Sequence, residues 1–196
     1  MQPVPDPFDP PWHTAARWQE VNAALVHLRQ RHRTALDRCR DLARRLERRL
    51  DGLGPLMDEL CRATCPDCRT PCCATALVWF DFRDLLFLHL AELPLPASQP
   101  RYPHRRHCRF LSPGGCLLPR PRRPWLCTWY LCPPQTAILR LRNICLDAEM
   151  KAIKSLRQEL EDEFIAVTHK RLDETGEIDE THPQIAQTNM DYSNAK

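Results

Sequence analysis

The chain has 196 residues, 43% apolar and 27% charged, an ordinary balance for a folded protein and too apolar for a wholly disordered one. Its 28 basic and 25 acidic residues leave a net charge of +3, so bulk charge alone does not argue for a nucleic-acid partner. No apolar run approaches the roughly 18 residues of a membrane span, and the start MQPVPDPFDPPW lacks the basic-then-apolar layout of a secretory leader, so a cytoplasmic protein with no membrane partner is expected.

In chain order, residues 1–13 read as a proline-rich, extended arm. From Thr14 the residues Trp18, Val21, Leu25, Leu28, His32, Ala35, Cys39, Leu42 and Leu46 step by three and four, which predicts one long helix from 14 to about 50. Asp51-Gly52-Leu53-Gly54-Pro55 reads as its stop, with a short helix following to about Arg62. Ala76–Phe80 reads as a short buried strand, and Asp81 as the cap of a helix through Leu90. Residues 93–134 are rich in proline, so regular structure there should be scarce. A second long helix is expected from about 135 to 172, its seam running through Ile138, Leu141, Cys145, Ala148, Ala152, Leu156, Leu160, Phe164 and Val167. Residues 173–196 hold six acids and one lysine and read as a disordered acidic tail. The expected fold is therefore mainly α, with two long antiparallel helices flanking a small, irregular, metal-ordered cysteine-rich core at 61–134 with little strand. Scaffold packing is the simplest use of the two helices. A coiled coil or a protein partner on their faces is the rival, since ten arginines against five acids give residues 14–51 a charge of +5.

Cysteine is what departs from average: there are 11, an odd number, and nine fall between Cys61 and Cys132. In a reducing compartment, clustered thiols point to a metal site rather than to disulfides. The first block reads Cys61-Arg-Ala-Thr-Cys65-Pro-Asp-Cys68-Arg-Thr-Pro-Cys72-Cys73; the second holds Cys108, Cys116, Cys127 and Cys132. The two-residue gap of Cys65 and Cys68 lets a turn aim both sulfurs at one centre, with further ligands arriving from distant sequence. Soft thiolates suit zinc, copper(I) and iron–sulfur clusters, so spacing does not name the metal. Adjacent Cys72 and Cys73 either serve two ions, or one ligates while the other packs. Cys39 and Cys145, on the helix seams, read as small apolar core residues. Cys61-x3-Cys65-x2-Cys68 also matches the spacing of radical S-adenosylmethionine enzymes, but no glycine-rich cofactor motif or barrel-like strand–helix alternation accompanies it.

Cys65-x2-Cys68-x3-Cys72-Cys73, followed by Cys108-x-Phe-Leu, Gly115-Cys116-Leu117 and Arg123-Pro124-x2-Cys127, resembles the YkgJ-type cysteine-cluster family, described as a zinc- or iron-chelating domain. The resemblance covers residues 61–134. It implies metal ligation by Cys65, Cys68, Cys72, Cys73, Cys108, Cys116 and Cys127, with Cys132 as an addition, and zinc or iron as cofactor. The chain departs from the family pattern in having three residues, Arg69-Thr70-Pro71, before the double cysteine, and Thr128 where an arginine commonly stands. A flagellin lysine methylase family shares a similar motif and brings iron–sulfur chemistry into view for the group.

Between Glu92 and Asp147 there is no acid, while Arg101, Arg105, Arg106, Arg109, Arg120, Arg122 and Arg123 interleave with Tyr102, Phe110, Trp125, Trp129 and Tyr130. That pattern suits single-stranded nucleic acid, but balancing anionic thiolates is the reading preferred here. His104 and His107 are potential nitrogen ligands in a basic loop. No serine–histidine–aspartate set, phosphate-binding glycine loop or HExxH is present. Three classes of function follow: a metal-binding protein with no readable reaction, an iron–sulfur redox or radical enzyme, and a zinc-stapled nucleic-acid-binding module.

Overall fold

A computed structural model describes residues 12–100, 108–112 and 115–175. Almost all of the N-terminal arm, His104 and His107 with the arginines around them, and the acidic tail beyond Thr175 lie outside these residues. The described chain is mainly helical, with seven α-helices: α1 (Ala15–Arg31), α2 (Asp37–Thr64), α3 (Cys72–Thr75), α4 (Phe82–Leu90), α5 (Leu126–Trp129), α6 (Pro133–Leu141) and α7 (Asp147–Thr175). Leu111–Ser112 (β1) and Gly115–Cys116 (β2) make a two-stranded antiparallel hairpin, and Arg120–Arg122 form a single 3-10 turn. None of the described helices is long and apolar enough to cross a membrane.

Two expected helix boundaries are corrected. The first seam is carried by two helices, because the chain turns at residues 32–36 although nothing there is glycine or proline. The Leu36 and Ala35 amides both donate to the His32 carbonyl, at 3.1 and 3.0 Å, so the turn keeps a helix-like spacing while changing the axis. Packing imposes this break: α1 lies along α4, while α2 lies along α7. The expected stop at 51–55 is absent, and α2 runs straight through it. Neither Gly52 nor Gly54 adopts a positive φ. Pro55 forfeits its bond to the Asp51 carbonyl, but both residues are exposed, where water takes that role. Gly54 is buried, and a Cβ added there would meet Arg120 Cβ and Cγ at 3.9 Å, an ordinary contact, so this position does not require glycine. Gly52 is exposed with nothing within 4 Å of an added Cβ. Gly52→Ala should therefore stabilise the protein by about 0.5–1 kcal/mol in urea unfolding, whereas a helix ending in a left-handed glycine there would be destabilised.

The second long helix is likewise divided. α6 ends at Leu141, and Asn143, just beyond its cap Arg142, takes a φ of 54° that asparagine tolerates better than most residues. The Ile144 amide returns to the Leu139 carbonyl at 2.9 Å and closes the turn. Cys145, expected on the seam, is therefore exposed in the connection to α7. The antiparallel long pair is α2 with α7: Arg38 meets Glu159 and Glu163 at 3.2 and 3.0 Å, and Arg49 meets Glu149 at 2.7 Å, so rising numbers on one helix face falling numbers on the other.

The core lies between α1, α2, α4 and α7, built from Trp18, Val21 and Leu25; Leu42, Leu46, Met57 and Leu60; Leu85–Leu88; and Ile153, Leu160 and Phe164. Of the expected seam residues, Trp18, Val21, Leu25, His32, Cys39, Leu42, Leu46, Leu156, Leu160 and Phe164 are buried within one chain, whereas Ala35, Leu141, Cys145 and Ala148 are exposed. Asp81 caps α4 as expected, accepting from the Asp84 amide at 2.7 Å while Asp84 accepts from the Asp81 amide at 3.1 Å. Helix α4 is buried all round from Asp84 to Leu90. The expected strand at 76–80 is not one. Phe80 has no neighbouring strand; the buried side-chain amide of Gln99 serves instead, accepting from the Phe80 amide at 2.8 Å and donating to its carbonyl at 3.0 Å. One side chain thereby satisfies both backbone groups of a fully buried residue.

His89 is, with Asp84, a buried polar residue of α4. Its Nε2 lies 2.9 Å from Asn22 Oδ1, and Asn22 donates in turn to the Trp18 carbonyl at 2.7 Å. Burial, helped by the Arg29 guanidinium, pushes the imidazole down to about 4. Between that value and the ordinary 6.5 the unfolded chain binds the proton and the folded chain does not. Its contribution is therefore complete above pH 6.5 and is lost as pH falls towards 4. Urea midpoints at pH 7 and pH 5 should show the folded state weakened at pH 5 by on the order of 1–2 kcal/mol from this group, and His89→Gln should flatten that slope.

Candidate metal centre

The C-terminal turn of α2 carries Cys61, and Cys65 caps it, its amide donating to the Cys61 carbonyl at 2.8 Å. Residues 65–68 then form a tight turn, with the Cys68 amide on the Cys65 carbonyl at 3.2 Å. Pro71 starts α3, which places Cys72 and Cys73 in its first turn. The second block is tied to the first by backbone: the Cys108 amide donates to the Cys73 carbonyl at 3.1 Å. From Cys108 the chain enters the hairpin, where Leu111 pairs with Cys116 and Gly115 takes the left-handed φ of 107° that the tight reversal requires. Cys127 follows on α5.

Five of the sequence candidates are brought together from these separate segments. Cys72 is held down to about 6 by a hydrogen bond from the Cys73 thiol, and Cys73 is driven up by the same bond, by burial, and by the charges of Cys72, Cys127 and Cys116. Burial pushes Cys127 up to about 12, with Cys116, Cys108, Asp84 and Cys72 adding to the rise. Cys65 sits at the edge of this group, raised to about 11 by burial and then by Cys61, with Cys72 a smaller cause. Cys68 is exposed. Cys132 is linked only indirectly, its amide donating to Gln135 Oε1 at 3.2 Å while Gln135 Nε2 lies 3.6 Å from Cys61 Sγ. All eleven cysteines are free thiols. Among the described residues no three histidine, cysteine, aspartate or glutamate side chains stand in an arrangement that holds a metal ion. The donor set itself, several reduced thiols meeting from distant sequence, is chemically suited to a soft metal.

The arginines near the thiols bond inward. Arg120 donates from Nε to Asp58 at 2.6 Å and from Nη2 to Cys61 Sγ at 3.1 Å, an approach made over Gly54. Arg123 donates to the Leu118 carbonyl at 2.9 Å, and Arg109 to Ser98 Oγ. An open groove of about 490 Å³ borders the group, with Asp58, Cys116, Arg120 and Arg123 among its lining residues.

Gln135, Asp84 and Arg157 were not singled out from sequence, whereas Arg120 is one of the arginines expected beside the thiolates. Gln135 and Arg120 hold Cys61. Asp84 and Arg157, both buried, are joined at 2.6 Å, and Arg157 also reaches both oxygens of Asp81 at 2.9 Å. A charged residue beside the apolar seam of α7 at Leu156 and Leu160 is the signal that would have found Arg157. Compared with protein-family models, curated proteins and solved structures, the chain matches none.

Proposed function

We propose that this is a metal-binding protein that takes zinc or iron through its central cysteines, and that the metal orders residues 61–134 against the helical body. The single observation that supports this reading is that Cys72, Cys73, Cys108, Cys116 and Cys127, drawn from three parts of the chain, lie close enough to shift one another's ionisation. Cys65 and Cys68, on the turn that leaves α2, and Cys132, before α6, complete the set that the YkgJ-type resemblance implies. That resemblance rests on its motif residues, and with it go the assignment of 61–134 as the cysteine-cluster unit and a reducing, cytoplasmic setting. Bound metal would hold these thiols as thiolates and contribute folding energy to a segment poor in regular structure. The inward bonds of Arg109, Arg120 and Arg123 favour charge balance over nucleic-acid binding as the use of the described arginines.

Anaerobic purification followed by elemental analysis and an absorption spectrum tests the proposal. Stoichiometric zinc in a colourless protein, or iron with sulfide in a coloured one, supports it and chooses the metal. Protein free of both, which also fails to take up either when reconstituted under reducing conditions, overturns it.

A further inference from the structure

We infer that Asp84, held by Arg157, is a positioning residue for Cys127: a carboxylate supplied by one buried helix that fixes the start of the short turn carrying a proposed ligand. The inference rests on the metal-binding reading for its purpose and on hydrogen-bond geometry for its substance. Helix α5 has four residues, too few to hold itself, and lacks a side-chain cap of its own. Its turn is wound on Trp125, whose carbonyl accepts from the Thr128 and Trp129 amides at 2.8 and 3.0 Å. The Trp125 amide is in turn accepted by Asp84 Oδ1 at 3.1 Å, across 41 positions of sequence. The same oxygen takes Arg157 Nη1 at 2.6 Å, and the Arg157 guanidinium lies 5.5 Å from the centre of the Trp125 ring. Trp125 is thus held at its backbone by α4 and at its indole by α7, two residues before Cys127.

Burying a carboxylate with a guanidinium, as Asp84 and Arg157 are buried beside the half-exposed Asp81, is a poor way to gain stability, since well-packed apolar side chains of similar size commonly do as well or better. What the charged arrangement provides and an apolar one does not is a fixed acceptor for the Trp125 amide. Arg157 Nη2 meanwhile donates to both oxygens of Asp81, which keeps the guanidinium in place while Nη1 serves Asp84. Ligating side chains depend on such supporting bonds for their orientation.

The test compares Asp84→Asn, which retains an oxygen to accept from the Trp125 amide, with Asp84→Leu, which does not. Protein as purified is labelled with iodoacetamide and the modification of each cysteine is followed by peptide mass spectrometry, alongside metal content. Asp84→Leu should speed labelling of Cys127 by about tenfold and reduce bound metal, as loss of a supporting bond does elsewhere. Asp84→Asn should stay within about twofold of the parent, and Cys39, buried in α2, should remain slow in every variant. Unchanged Cys127 labelling in Asp84→Leu overturns the inference, as does an equal rise in both variants. If Asp84→Leu exposes Cys39 as well, and so has lost its fold, hydrogen exchange in the parent protein decides: a Trp125 amide that exchanges as fast as an exposed one overturns the assignment, and a protected one supports it. Should the parent carry no metal, the metal-binding reading falls while the labelling ratio still decides the positioning role.

Discussion

Arg157→Ala should cost roughly 3–5 kcal/mol of folding free energy, because it leaves Asp84 buried with no opposite charge and removes the partner of Asp81. The residue is 4% exposed and is the hub at which α4, α7 and the Trp125 segment meet. Burial, with the charge of Asp81 adding to it, drives the Asp84 carboxyl up to about 7 even against the pull of Arg157, so the carboxylate depends on the guanidinium for its charge. Urea unfolding followed by circular dichroism at pH 7 reads the loss. Arg38→Ala is the matched control: its pairs with Glu159 and Glu163 are largely exposed and should contribute less than about 1 kcal/mol. Equal effects for the two substitutions would mean that the buried cluster does not organise the interior.

Cys127→Ser and Cys72→Ser should each strip most of the metal from the purified protein, to about a tenth of the parent's content or less, if the proposed centre is the one that binds. Serine keeps the size of the side chain and removes the soft donor. Both residues lie in the group whose charges are mutually felt, and Cys127 is the more buried of the two. Cys145→Ser, on an exposed thiol in the α6–α7 connection, should leave metal content unchanged. Elemental analysis of the three variants beside the parent separates a common site from adventitious binding to scattered thiols; equal metal in all four proteins would sink the assignment.

Much of the helical content was legible because burial follows apolar periodicity: Trp18, Val21, Leu25, Leu42, Leu46, Leu156, Leu160 and Phe164 are all in the core. The helix ends were less so. Gly52, Gly54 and Pro55 carry the chemistry of a stop, yet α2 continues through them, its buried face at Leu53, Met57 and Leu60 held by packing that no local pattern encodes. The turn at 32–36 has no breaker residue, because the docking of α1 on α4 sets it. Asn143 was a readable stop that the unbroken seam concealed. In the site, Cys72, Cys73, Cys108, Cys116 and Cys127 lie near enough to shift one another's ionisation, but among the described residues no three of them form a group that holds a metal ion. Sequence had no means of showing that Cys61 would be taken by Arg120 and Gln135, since those bonds depend on how the 3-10 turn and α6 lie against α2.

The burial of α4 on every side bears on how the molecule is made. Phe82–Leu90 is buried from Asp84 to Leu90, and part of its cover comes from α7, which begins at Asp147. On the ribosome, more than fifty further residues must emerge before that cover exists, and during this interval an oily nine-residue segment faces water. Nascent chains ending before α7 should therefore be sticky and drawn to holdase chaperones.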